Sequence, residues 1–387
     1  MIGNLSHRIT LILVVVCLAA SVAADPYHPN IPKSQVVTLD AAAMERWANS
    51  GTPFALTFGK TTMDVVLHPA PVFPKEGVTF IQFAKDGSAK TTVVQGNFTY
   101  AGEILGEDPA TTEVRLTIAG GVVEGYVLTK ADWWFIEPLV RFEPKAASDQ
   151  YLVYVSHETS VSVKLGDAAD SMDEVFDWPI VDDKIPLATV ADMEYFRQSD
   201  SNFQRVMLRH GTLINEVNGI YNMQFGREFR VPMVGLGSAE ELEATHIIDL
   251  MGQFKAFMTP QRLQQMQSMI AHLTTGKDLD FDALGLGVQR GFHSLSKQST
   301  TFDFRNTIVA ARYIGRNFEA TAAHAEVHQV CIGGQCDVFE RTLDGEVFDE
   351  HVVARFSDGR LGADFNNVTR VCIIMHERGF PCREPQP

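Results

Sequence analysis

The residues best suited to chemistry crowd near the C-terminus: His324, His328 and Cys331 fall at i, i+4 and i+7, with Cys336 close behind. On a helix the two imidazoles and the first thiol would share a face, which is the arrangement of a small structural zinc site. The same residues also fit two surface histidines followed by a disulfide hairpin turning at Gly333 and Gly334, and that plainer reading is preferred. With Cys17 set aside in the N-terminal segment, Cys331, Cys336, Cys372 and Cys382 form an even set, read as two disulfides of open connectivity. His272 and His293 stand alone and point to no chemistry. Asn97 ("NFT") and Asn367 ("NVT") are candidate glycosylation positions.

The elements that must position these residues divide into two halves. Residues 1–24 have a short basic start, an apolar run and small residues before Asp25, the anatomy of a secretory signal peptide, so the mature chain is expected to be secreted, with no membrane span after cleavage. Residues 25–185 alternate apolar and polar positions in short runs such as "TEVRLTIAGGVVEGYVLT" and read as a β-rich domain, closed by an acidic, Pro-containing linker. From residue 186 the period changes. "FQRVMLRHGTLINEVNGIYNMQFG" places Val206, Leu213, Val217, Ile220 and Tyr221 at helical spacing, and "FRVPMVGL" follows as a strand. "TPQRLQQMQSMIAHL" reads as a helix capped by Thr259, opened by Pro260 and lined by Leu263, Met266, Ile270 and Leu273, with "ALGLGV" as a short buried strand beyond it. The fold class is therefore mixed α/β (α+β), in two domains of 25–185 and 186–387. A net charge of −16 and the lack of a basic stripe argue against nucleic acid as a partner.

Four stretches in order resemble the adamalysin/reprolysin branch of the metzincin zinc metalloproteases: "GGVVEGYVLTKADWWFIEPL", "INEVNGIYNMQFGREFRV", "AHLTTGKDLDFDALGLGV" and "IVAARYIGRNFEATAAHAE". The resemblance implies a propeptide-like domain followed by a protease-type domain, with "ALGLGV" as the edge strand that binds substrate backbone and the last stretch as the active-site helix. That helix normally reads Ala-His-Glu-x-Gly-His-Asn-Phe-x-Ala-x-His. Two imidazoles one turn apart and a third beyond a turn hold zinc, and the Glu takes a proton from the metal-bound water.

Anchored on Ala311, Gly315, Asn317 and Phe318, the alignment puts Arg312 and Arg316 at the first two ligand positions, Tyr313 at the base and Ala322 at the third ligand. A guanidinium stays protonated and has no lone pair for a metal, and a phenol is a poor base at neutral pH. Glu319 stands where the family turns, so the helix is expected to run on through "EATAAHAE", carrying His324 and His328 roughly 120–160° around the axis from the two arginines. Alternatively that run carries two extra residues and His324 is a displaced third ligand. The family's Met-turn maps either onto Leu343 and Asp344, which is preferred, or onto Met375. Residues 25–185 hold no Cys and no dibasic cutting site.

The expected function is thus a secreted, catalytically deficient pseudopeptidase that binds peptides or proteins by strand addition, with no cofactor. Two alternatives stay open. One is an active zinc endopeptidase with displaced ligands, or one whose true sequence differs at Arg312, Tyr313 and Arg316; the other is a non-catalytic structural or interaction module.

Overall fold

The computed structural model describes residues 34–83, 88–96, 98–155, 184–238, 240–280, 285–288, 291–298, 303–318, 328–332, 335–339, 375–376 and 382. In the N-terminal half, β1 (Ser34–Thr38) leads into α1 (Ala41–Ser50), then β2 (Phe54–Phe58), β3 (Thr61–Pro69), β4 (Val78–Phe83), β5 (Ala89–Val94), β6 (Thr99–Ile104), β7 (Glu113–Ala119), β8 (Val122–Leu128), β9 (Trp133–Pro138) and β10 (Gln150–Val155). Eight of these strands form one antiparallel sheet in the order β1-β10-β9-β8-β7-β6-β3-β2. Its two ends approach each other, and the Gly59 amide beside β2 donates to Gln35 Oε1 of β1 at 2.8 Å, so the sheet nearly closes. Asp40 caps α1 by accepting from the Ala43 amide, and Gly51 ends it in the left-handed conformation. The apolar side of α1, with Met44 and Ala48, fills the sheet's concave side.

Strands β8 to β10 are apolar on both faces, and strand period explains where each residue goes. Val127, Ile136, Tyr151 and Val153 enter the core with α1, whereas Tyr126, Leu128, Phe135, Leu152 and Tyr154 enter a second core shared with the C-terminal half.

The C-terminal half runs β11 (Ile185–Ala191), α2 (Met193–Gln198), α3 (Phe203–Phe225), β12 (Phe229–Arg230), β13 (Met233–Leu236), α4 (Ile247–Phe257), α5 (Pro260–Gln265), β14 (Ile270–Thr275), β15 (Gly285–Gly287), β16 (His293–Lys297), α6 (Asp303–Arg316), β17 (His328–Ile332) and β18 (Gln335–Phe339). Its sheet has the order β15-β16-β14-β11-β13-β4-β5. Pairs β16/β14, β14/β11, β11/β13 and β13/β4 are parallel, whereas the end strands β15 and β5 are antiparallel to their neighbours.

Four expectations need correcting. The β-rich half does not keep to itself, because its hairpin β4–β5 extends the C-terminal sheet, with Phe80 level with Val234. The helix opened by Thr259 stops at Gln265. Thr259 does cap it and Pro260 does open it, but Gln267 takes a φ of 50° and Ile270 and Leu273 belong to β14, whose backbone is paired on both sides. Short apolar runs fit either period, and the sheet decides.

The third correction concerns α6, which ends at Arg316 instead of running on. Its last turn tightens through Asn317 N to Ile314 O at 3.1 Å and Phe318 N to Gly315 O at 2.8 Å. Residues 319–327, with Glu319, Ala322 and His324, lie outside the described residues. The fourth is that His328 and Cys331 sit on strand β17, so the helical spacing behind a His-His-Cys zinc site does not exist there. The hairpin of the plainer reading is present, with Cys331 directly opposite Cys336.

Helix α3 lies between the two sheets. It is capped by Asn202, which accepts from the Gln204 and Arg205 amides, and closed by Gly226 at a φ of 61°. Sequence period marks one apolar face, yet residues 210–221 are buried all round. The polar ones find partners inside: Asn215 Nδ2 donates to Tyr100 O and Leu116 O, and Asn218 exchanges hydrogen bonds with the Phe229 backbone.

Candidate functional site

The candidate cleft lies where α6 passes beneath the end of the sheet. Asn317, one residue past the helix, is fully buried and donates from Nδ2 to Val288 O at 3.1 Å and His293 O at 2.9 Å, which pins the β15–β16 connection onto α6. On the other side, Tyr221 of α3 donates its hydroxyl to Ala311 O at 3.0 Å, and Thr307 donates to buried Glu216. The helix is therefore clamped between α3 and the edge of the sheet.

Tyr313 is 2% exposed. A Cβ on Gly285 would stand 2.3 Å from Tyr313 Cδ2, and one on Gly287 would stand 2.4 Å from Tyr313 O and 2.7 Å from Arg316 Cβ. The two glycines of β15 thus let the strand settle onto the tyrosine ring and the arginine stem, a close approach that any side chain would block. Arg312 and Arg316 are half-buried. Residues 285–288 of the edge strand are themselves buried.

A hydrolytic zinc does not fit this helix. The side chains that meet β15 are a phenol ring and a guanidinium stem, neither with an imidazole lone pair to offer. The Tyr313 ring fills the space below Gly285. Among the described residues no group of three or more His, Cys, Asp or Glu side chains is placed to hold a metal ion.

The remaining sequence candidates are scattered. Asn97, Leu343, Asp344, Asn367 and Cys372 lie outside the described residues. Met375 is fully buried in the shared core, and Cys382 brings its Sγ to 3.9 Å from Met375 Sδ.

A second polar constellation went unseen in the sequence. His272 of β14 bridges Ser294 Oγ at 2.9 Å and Ser296 Oγ at 2.8 Å on β16, and His210 of α3 meets Thr274 Oγ1 at 2.6 Å. Both rings are fully buried, and burial pushes both down to about 3, with Arg209 and His272 adding to the effect on His210. They are neutral rings tying strands to helix. Nearby, Asp192 ends β11 and caps α2, accepting from the Tyr195 amide at 2.8 Å, the Gly276 amide at 3.1 Å and the Thr275 hydroxyl. Burial raises its carboxyl although those three donors pull the other way. Asp192 thereby pins the "TTGKDL" segment to the sheet, and a Cβ on Gly276 would stand 2.6 Å from Tyr195 N. The one available signal was "HSLSK", in which Ser294 and Ser296 share a strand face.

No protein-family model matches the chain and no curated protein matches it. Among solved structures, it is similar to a chain from "Structure of a chaperone-substrate complex" at 8% identity and a TM-score of 0.29, over 69% of this chain and 37% of that one. The chain thus spans little more than a third of that protein's length, and a TM-score so low carries no argument. Among the described residues no helix is long and apolar enough to cross a membrane, which says nothing of β-barrels.

Proposed function

We propose that this is a secreted, metzincin-like pseudopeptidase: a protease-type scaffold of the adamalysin/reprolysin kind that does not hydrolyse and instead binds extended segments of peptides or proteins. The observation that carries the reading is Tyr313. Its ring sits against Gly285 at the position where the resemblance requires a general base with room for water. Three further features support it. At the end of the sheet next to α6 the edge strand, β15, is antiparallel to its neighbour; the sequence matched to the active-site helix follows β16; and α6 packs against that edge. An extended peptide would add to β15 through backbone hydrogen bonds.

A second reading, a structural or interaction module without a working cleft, is favoured by the burial of residues 285–288, since a peptide reaches the strand only by displacing what covers it. One set of measurements separates the readings. Purified chain held in chelator-free buffer is expected to carry no zinc, leave casein intact and shift the anisotropy of labelled extended peptides. Zinc at one per chain with chelator-sensitive cleavage would remove the proposal, and an absence of any peptide binding would favour the second reading.

Joint replacement of Arg312→His, Tyr313→Glu and Arg316→His is expected to give weak or no proteolysis. The third ligand position, Ala322, still lacks an imidazole. Full activity from those three changes would show that a third ligand already stands in place.

A further inference from the structure

We infer that the N-terminal half is a permanent part of the fold that stays bound to the C-terminal half when the chain between residues 155 and 184 is cut. The inference holds whichever reading of the cleft is right, because it rests on the junction between the halves. In a chain resembling a latent protease the opposite outcome, release of the N-terminal half, is the natural expectation.

Three features of the junction belong to the interior of a protein. The first is sheet continuity: β4 pairs in parallel with β13 from Thr79/Met233 to Gln82/Leu236, and the Val231 amide donates to Val72 O at 2.8 Å. Removing the β4–β5 hairpin would leave β13 as an unpaired edge strand. The second is a fitted contact. Helix α3 presents Gly219 and Gly211 to the N-terminal sheet, and a Cβ on Gly219 would stand 1.9 Å from Tyr126 Oη and 2.9 Å from Arg115 Cγ, while one on Gly211 would stand 2.7 Å from Phe98. Glycine weakens a helix interior, so its presence at both contact points reflects the approach of the sheet.

The third is a buried charge cluster divided between the halves. Arg115 of β7, 1% exposed, bonds Glu113 on its own strand and Glu228 of the C-terminal half at 2.8 Å, and Lys184 holds the other oxygen of Glu228 at 2.8 Å. Separation would strip Glu228 of Arg115 and leave Asn215 without its two carbonyl acceptors, Tyr100 O and Leu116 O. Such losses characterise an obligate contact.

The test uses the full chain with a recognition sequence for a specific protease placed between residues 165 and 175. After cutting under native conditions, both fragments are expected to elute as one particle with the mass of the intact chain, and to melt as one transition close to that of uncut protein. Elution of the N-terminal fragment alone would overturn the inference. In the same cut chain, Gly219→Ala is expected to release the fragments or lower the melting transition, although Ala is the better helix former. A cut Gly219→Ala chain that stays together and melts unchanged would show that the contact is not what holds the halves. Should the modified chain fail to fold, hydrogen exchange on the natural protein decides: amides of β4, β13 and α3 are expected to share one slow, global rate, and faster exchange confined to the N-terminal half would overturn the inference.

Discussion

Truncation of Arg115 to alanine is expected to destabilise the entire chain by about 3–5 kcal/mol, the usual consequence of removing one partner from a buried ion pair. The guanidinium is enclosed by Glu113, Glu228 and Tyr126, and burial of the Glu113 carboxyl already raises it against the pull of Arg115. Glu228 is held low by Arg115 and Lys184 even though burial works to raise it. Without Arg115, Glu113 stays buried near the like-charged Glu228 without its hydrogen-bonded counter-charge and must take up a proton or draw in water. Set against a typical domain stability of about 5–15 kcal/mol, the loss would show plainly in urea unfolding. A double replacement, Arg115→Met with Glu113→Gln, should recover part of it, because the stranded charge is gone. A loss below about 1 kcal/mol for the single variant would mean that water already serves the cluster and that it contributes little to joining the halves.

Acidification should produce the second large effect, through His210 and His272. At neutral pH both rings are uncharged in the folded and unfolded chain, so they contribute nothing to pH dependence. Below about 6.5 the unfolded chain binds protons that the buried rings refuse until about 3, and stability therefore falls as pH falls through that window. For two rings the loss by pH 5 is about 4 kcal/mol, taking about 1.36 kcal/mol per unit per ring.

Asp192 and Glu113 act in the opposite sense: burial holds both carboxyls high, so protonating them favours the folded state. Glu228, held low, adds to the loss only below the ordinary carboxylate range. Arg209, beside His210 on the same helix, adds to the lowering of that ring, and its Cζ sits 4.3 Å from the Tyr195 ring centre. The histidine part is isolated by difference. Urea unfolding at about pH 7 and pH 5 should show His272→Gln losing about 2 kcal/mol less than the natural chain between the two conditions. Identical pH dependence in the two proteins would mean that the ring is hydrated or already charged in the folded state.

Much of the local structure was legible because its causes are local. Thr259 and Pro260 open α5, and Val206, Leu213 and Val217 keep helical spacing. What was misread turned on neighbours far along the chain. Ile270 and Leu273 fit a helix equally well until β11 and β16 supply backbone partners on both sides of them. "EATAAHAE" holds strong helix formers, yet α6 stops before it, where buried Asn317 is committed to Val288 O and His293 O. The burial of His210, Asn215, Glu216 and Asn218 had no signal in the sequence, because nothing nearby announces the second sheet that covers them.

By itself the sequence determined the mixed α and β class, the start of α5 at Thr259 and Pro260, and the residue types at positions 312, 313 and 316, whose lone pairs and charges are properties of single side chains and need no fold. Only the tertiary structure decided that Tyr313 lies under Gly285, that β4 completes a sheet begun in the other half, and that Arg115 meets Glu228 across 113 residues of chain. The physical reason is range: capping and side-chain chemistry act within one turn, whereas burial and strand pairing depend on surfaces that meet only after the chain has folded.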